Sequence, residues 1–161
     1  MIKKINNIPF ILILIVISVA LISVFIIEHV LNYEPCKLCI YQRIPYFLSI
    51  FLIIKIIFIK KYEKITLLIL SFVFFVSAVL AFYHFGIEQS FFSESSTCST
   101  KDLTKILSKE ALIEELKQNS VSCKDVSFKI LGFSLAAINT IFSAFLSVIF
   151  IKFYLSYGKN Q

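Results

Sequence analysis

Four long stretches of the chain are almost purely apolar, separated by two short polar segments and one long one. Ile5 to Ile27 contains no Asp, Glu, Lys or Arg, a run long enough to cross the roughly 30 Å hydrocarbon core of a bilayer as a helix. Ile44 to Ile59 is interrupted only by Lys55, whose long stem can carry its charge toward the interface at Lys60-Lys61. Ile65 to Tyr83 and Ile130 to Ile151 are again free of those four residue types. None shows the two-residue alternation of a barrel strand. The pattern predicts an all-α membrane protein, a four-helix transmembrane bundle forming one domain over residues 1–161, with spans at about 5–27, 44–59, 65–83 and 130–151. A secretory signal would be shorter and would end in small residues. Here Glu28-His29-Val30 follows the first run, so the N-terminal segment is expected to stay attached.

Composition excludes the soluble alternatives. Hydrophobic residues make up 58% of the 161, Phe alone numbers 18, and charged residues are 16%, against roughly 25% in a soluble domain. So apolar a chain cannot be intrinsically disordered. The net charge of +6 is not gathered into a basic run on a polar surface, so no nucleic-acid partner is expected. Its placement instead sets a topology. With the N-terminus cytoplasmic, that side carries Lys3, Lys4, Lys55, Lys60, Lys61, Lys64, Lys152 and Lys159 against Glu63 alone, and the excess positive charge all falls there. The positive-inside rule then places both termini in the cytoplasm and predicts two outer loops, about 28–43 and 84–129. In the second, Ser99 to Lys117 spaces Leu103, Ile106, Leu107, Leu112, Ile113 and Leu116 at three and four. That spacing predicts a short amphipathic helix, lying on the membrane or solvated, with Ser99 or Thr100 as its cap.

All four cysteines, Cys36, Cys39, Cys98 and Cys123, fall in the two outer loops. If that face is the periplasmic side of a bacterial inner membrane, it is oxidising, and paired thiols there cycle through disulfides. Cys36-Lys37-Leu38-Cys39 is a C-x-x-C, the spacing of redox-active pairs; Cys98 and Cys123 make a looser pair. A structural zinc site would call for two close pairs, and no metal is expected. Inert staples are the other reading, since closing a loop of about 25 residues stabilises by roughly 3 to 4 kcal/mol in the chain-entropy model.

The surroundings of the first pair favour chemistry. Cys39 precedes the second span, where a helix N-terminus lowers a thiol pKa, and Arg43 follows at i+4, placed to stabilise a thiolate or an anionic ligand oxygen. Pro45 fits a helix starting near Tyr41 and would kink one starting nearer Cys36. His84, at the outer end of the third span, shares this membrane level and is a candidate proton donor to a reduced carbonyl. His29 reads only as a solvated side chain, and Arg43 alone would read as an interfacial anchor.

Cys36-Lys37-Leu38-Cys39-Ile40-Tyr41-Gln42-Arg43, the Tyr83-His84 segment and the pair Cys98 and Cys123 together resemble the disulfide bond formation protein B family, DsbB, over essentially the whole chain. The resemblance implies a membrane thiol:quinone oxidoreductase that reoxidises a periplasmic thioredoxin-fold oxidase, DsbA-like, and passes the electrons to ubiquinone or menaquinone, with no metal or flavin. It implies that Cys98 is the sulfur attacked by the partner, with Cys123 as its disulfide mate, and that electrons then reach Cys36 and Cys39. Cys39 would be the thiolate nearest the quinone, with Arg43 and His84 beside it. The Lys- and Glu-rich stretch between Cys98 and Cys123 departs from the family pattern and bears on which partner docks. Three rivals remain at this level: a paralogue serving one dedicated client, a vitamin K epoxide reductase-like enzyme, and a non-enzymatic membrane protein with structural disulfides. The second keeps its C-x-x-C near its last span, unlike this chain.

Overall fold

The structure, a computed structural model, describes residues 7–59, 62–93, 123–124, 129–130 and 132–159. Its elements are α1 (Ile8–His29), α2 (Lys37–Tyr41), α3 (Ile44–Phe58), α4 (Glu63–Glu88), a two-residue hairpin β1 (Lys129–Ile130) and β2 (Phe133–Ser134), and α5 (Leu135–Lys159). Among the described residues, four helical segments are long and apolar enough to cross a membrane, α2 and α3 together forming the second. The protein is an all-α, four-helix, multi-pass membrane protein. Cys98 and the amphipathic segment Ser99 to Lys117 lie outside the described residues.

Most large apolar side chains point outward. Phe51, Phe58, Phe72 and Ile141 are among the most exposed, as expected where lipid rather than water is the solvent. The inward residues form one core of Phe10, Ile17 and Leu21 from α1, Tyr46, Ile53 and Ile56 from α3, Leu67, Leu70 and Phe74 from α4, and Leu146 and Phe150 from α5. Phe74 stacks on Phe150 with centroids 5.6 Å apart, and Tyr46 meets Phe74 edge-on at 5.7 Å.

Between helices already in lipid, hydrophobicity gives little drive to associate, so small and polar side chains do the joining. Ser71 Oγ donates to the Ser147 carbonyl at 3.1 Å and Ser147 Oγ returns the bond to the Ser71 carbonyl at 2.9 Å. One turn nearer the thiols, Ser77 and Ser143 hydroxyls lie 3.1 Å apart. These contacts bring α4 and α5 close along their length. At the opposite end Lys55 reaches Thr66 Oγ1 at 3.3 Å, so its charge is held at the start of α4.

The helix ends differ from the spans read off hydropathy for local reasons. Pro45 stands in the first turn of α3 and has no N–H to give to the preceding helix. The chain therefore breaks at Gln42-Arg43: Gln42 N closes α2 on Leu38 O, while Tyr46 and Phe47 N begin α3 on Arg43 O. The fourth span starts at Leu135 rather than 130, because Lys129 pairs with Ser134 and Ile130 with Phe133 around Gly132, whose φ of +86° is readily adopted only by glycine. The third runs on to Glu88, which places His84 inside a helix.

That helix then stops on a Schellman turn. Phe91 N bonds Gly86 O at 2.8 Å, Ser90 N bonds Ile87 O at 2.9 Å, and Ser90 takes a φ of 61°. The turn folds the Phe92 ring back onto Gly86 and against Tyr83, 5.7 Å between centroids. A Cβ on Gly86 would stand 2.2 Å from that ring.

Candidate functional site

The thiol pair sits where α2 begins. Cys36 is the N-cap of α2: its backbone is extended, and its sulfur accepts the Cys39 N–H at 3.3 Å. The two sulfurs stand 2.9 Å apart, and both cysteines are free thiols. His84 Nε2 approaches Cys36 Sγ at 3.5 Å. Of the two sulfurs, Cys36, which caps the helix and accepts a backbone amide, is the one placed to carry negative charge. The bond from Cys39, then His84 and the amide, outweigh the burial that opposes ionisation, and pull Cys36 from the ordinary 9 down to about 4. The sequence reading assigned the helix-end effect to Cys39. The structure moves it to Cys36, because helix already begins at Lys37, seven residues before Ile44.

Arg43 also takes a partner that its spacing did not reveal. Its Nη1 donates to Glu28 Oε2 at 2.5 Å, tying the start of α3 to the end of α1. Its guanidinium lies over the Phe25 ring, 5.2 Å from the centroid, and its buried Nε has no hydrogen-bond partner among the described residues. His29 makes only a local bond, Nδ1 to Phe25 O at 3.1 Å, in an exposed position.

His84 is 3% exposed. Gln42 Nε2 lies 3.0 Å from its Nδ1, Glu88 Oε1 lies 3.8 Å from its Nε2, and the Cys123 backbone hydrogen-bonds the ring. Cys123 is itself disulfide-bonded and packs in one buried cluster with Cys36, Leu38 and Ile87. A residue of the connection between α4 and α5 is thus seated directly on the C-x-x-C. Gln42 Oε1 in turn accepts from Asn139 Nδ2 at 2.6 Å, and Asn139 Oδ1 accepts from the hydroxyls of Tyr46 and Ser143.

Beneath these groups opens a cavity of about 450 Å³, within the size range of small-molecule sites. Its walls are apolar: Val16, Val19, Ala20, Val24 and Ile27 of α1, and Ala136, Ile138 and Phe142 of α5. Its polar corner holds Cys36, Cys39, Gln42, Arg43, His84, Glu28 and Glu88. Cys36, Cys39 and His84 also place their ligand atoms within 4.8 Å of one another.

Four of the sequence candidates, Cys36, Cys39, Arg43 and His84, thus converge on one cavity, and Cys123 adjoins it. A family model of the disulfide bond formation protein DsbB matches residues 6–153. The chain belongs to the DsbB family. It is also 32% identical over 153 residues, 93% of this chain and 88% of the relative, to an uncharacterised protein of Rickettsia prowazekii (strain Madrid E). Membership makes it a membrane protein of disulfide bond formation with an oxidoreductase role.

Sequence reasoning missed Gln42, Asn139, Glu28 and Glu88. Two of them carried a signal. Asn139 is the single amide side chain in the run Ile130 to Ile151, and a polar group at membrane depth is a functional pointer by default. Gln42 stands between the two motif residues Tyr41 and Arg43.

Proposed function

We propose that this DsbB-family protein is a thiol:quinone oxidoreductase of the bacterial inner membrane, with both termini cytoplasmic and the cysteine loops periplasmic. It reoxidises a DsbA-like thioredoxin-fold oxidase and passes the electrons to ubiquinone or menaquinone. One observation carries the reading: the reduced C-x-x-C lies between an apolar cavity on one side and disulfide-bonded Cys123 on the other.

The chemistry is two successive exchanges and one two-electron transfer. A partner thiolate attacks Cys98, the bond to Cys123 breaks, and the partner's second thiol resolves the mixed disulfide, leaving the partner oxidised and Cys98 and Cys123 reduced. That dithiol reduces the Cys36–Cys39 disulfide in the same way. The Cys36–Cys39 dithiol then closes to a disulfide as two electrons and two protons leave it for the quinone, which becomes quinol. The cavity suits a lipid-soluble acceptor, being apolar with a few convergent polar groups. Arg43 supplies positive charge where carbonyl oxygen gains electrons, and His84 holds a proton at Nε2 beside the sulfur.

The test is a Cys123→Ala variant. With no resolving partner in the protein, Cys98 should accumulate a mixed disulfide with a DsbA-like oxidase, identified on a non-reducing gel by mass spectrometry. Oxidase trapped on Cys39 and never on Cys98 would reverse the assigned order of electron flow.

A further inference from the structure

Three metal-binding donor atoms converge at the polar corner of the cavity. Cys36 Sγ, Cys39 Sγ and His84 Nε2 lie within 4.8 Å of one another, with Cys36 and His84 buried and all three residues lining the cavity. Two sulfurs and one imidazole nitrogen suit a borderline or soft cation such as Zn2+, which takes a tetrahedron of ligands and in open sites keeps one position for water or a small molecule. No second cysteine pair is needed, because the third donor comes from α4, 48 positions beyond Cys36.

The distances fit such an ion. On a tetrahedral zinc a thiolate sulfur and an imidazole nitrogen stand roughly 3.5 Å apart, and two sulfurs roughly 3.8 Å. Cys36 Sγ and His84 Nε2 are 3.5 Å apart. The two sulfurs, at 2.9 Å, need only part by about an ångström, a small rotation of the Cys39 side chain at the cavity edge.

The surroundings fit as well. The Cys39 N–H on Cys36 Sγ at 3.3 Å is the kind of outer hydrogen bond that orients a ligating sulfur. A cation on Nε2 leaves the ring proton on Nδ1, where the Gln42 amide stands at 3.0 Å. Turned end for end, that amide takes the proton on its oxygen, and Asn139, Tyr46 and Ser143 reverse with it, since amides and hydroxyls both donate and accept. Two thiolates, a neutral imidazole and a divalent ion sum to zero, so the complex buries no net charge. Of the other groups at this corner, Arg43 is answered by Glu28, and the Glu88 carboxyl, 3.8 Å from Nε2, favours a cation beside it.

We propose that the reduced Cys36–Cys39 pair and His84 form a redox-gated binding site for a zinc-type divalent cation, with the fourth position facing the cavity. The ion displaces the protons on the two sulfurs and any on Nε2, gains two sulfur bonds and one nitrogen bond, and moves no electrons. Once the pair is a disulfide the sulfurs are bonded to each other and the site is gone. This goes beyond the oxidoreductase reading and gives it a consequence: a dithiolate holding the ion cannot close until the ion leaves, so the cation blocks the pair reversibly.

The test titrates Co2+ and then Zn2+ into the full-length protein in detergent micelles, reduced with a phosphine and free of partner and quinone. Cys98→Ala and Cys123→Ala leave Cys36 and Cys39 as the sole thiols. One Co2+ per chain should bind, with the visible bands of a tetrahedral ion and sulfur-to-cobalt charge transfer in the near ultraviolet, and Zn2+ should displace it. Zn2+ should also shield both thiols from alkylation. His84→Ala should weaken cobalt binding by more than about tenfold and shift the visible bands. The 113Cd spectrum needs no histidine variant: one signal should couple to the β-protons of both cysteines and to the His84 ring. Protein oxidised to the Cys36–Cys39 disulfide should bind neither Co2+ nor Zn2+. Octahedral cobalt bands without sulfur charge transfer, a cadmium signal uncoupled to His84, or equal binding by the oxidised protein each overturns the proposal. Metal binding is read without partner or quinone, so its failure and the failure of the oxidoreductase reading are separate results.

Discussion

The Arg43 guanidinium is held by the Glu28 carboxylate at 2.5 Å, joining the last turn of α1 to the α2–α3 break. The pair borders the cavity, so the positive charge that a bound quinone would meet is already oriented, and half of it is answered. Arg43→Ala should raise the apparent KM for quinone roughly tenfold to a hundredfold, the cost of one charge-assisted hydrogen bond. Glu28→Gln, which keeps the shape and frees the guanidinium, should raise it far less. Steady-state quinone reduction in proteoliposomes separates the two; an Arg43→Ala enzyme with unchanged quinone dependence returns Arg43 to an interfacial anchor.

Gly86 offers a stability prediction independent of the chemistry. A Cβ there would overlap the Phe92 ring at 2.2 Å, so Gly86→Ala should cost about 1 to 3 kcal/mol as overpacking. Phe92→Ala in the same chain should recover much of that loss. Unfolding of the single and double variants in mixed micelles gives the coupling, and additive effects would show that the ring does not pack there.

The depressed pKa of Cys36 links stability to pH in a stated direction. Its thiol ionises near 9 when unfolded and about 4 when folded. The Cys36 thiolate therefore contributes stability to the reduced protein that is lost progressively as pH falls from about 9 toward 4. The oxidised pair has no such thiol. Melting the reduced and oxidised forms at pH 5 and pH 8 should show the reduced form gaining relative to the oxidised one as pH rises; a difference that does not change with pH would contradict the assignment.

How far the sequence reached depended on what kind of signal each feature left. The four spans were legible because a bilayer demands about twenty apolar residues in succession, and nothing in Ile5 to Ile27 or Ile65 to Tyr83 competes with that demand. Cys36, Cys39, Arg43 and His84 were legible as types at one membrane level. Their pairings were not. Whether Cys36 or Cys39 caps a helix turns on where Pro45 forces the break, and the start of α5 turns on a two-residue hairpin; both are local backbone outcomes with no hydropathy signature. Glu28 and Arg43 lie 15 positions apart, and Gln42 and Asn139 97 apart. Such contacts arise only when the helices are packed.

The most direct measurement of the central claim is the redox state of the Cys36–Cys39 pair in native membranes with and without quinone. Acid trapping followed by alkylation with a mass-adding maleimide resolves dithiol from disulfide on a gel, with Cys98→Ala and Cys123→Ala together isolating the pair. In quinone-replete membranes the pair should run as a disulfide; in quinone-depleted membranes supplied with dithiol it should accumulate as the dithiol, and added quinone should return it to the disulfide. A pair whose state is indifferent to quinone would contradict the account.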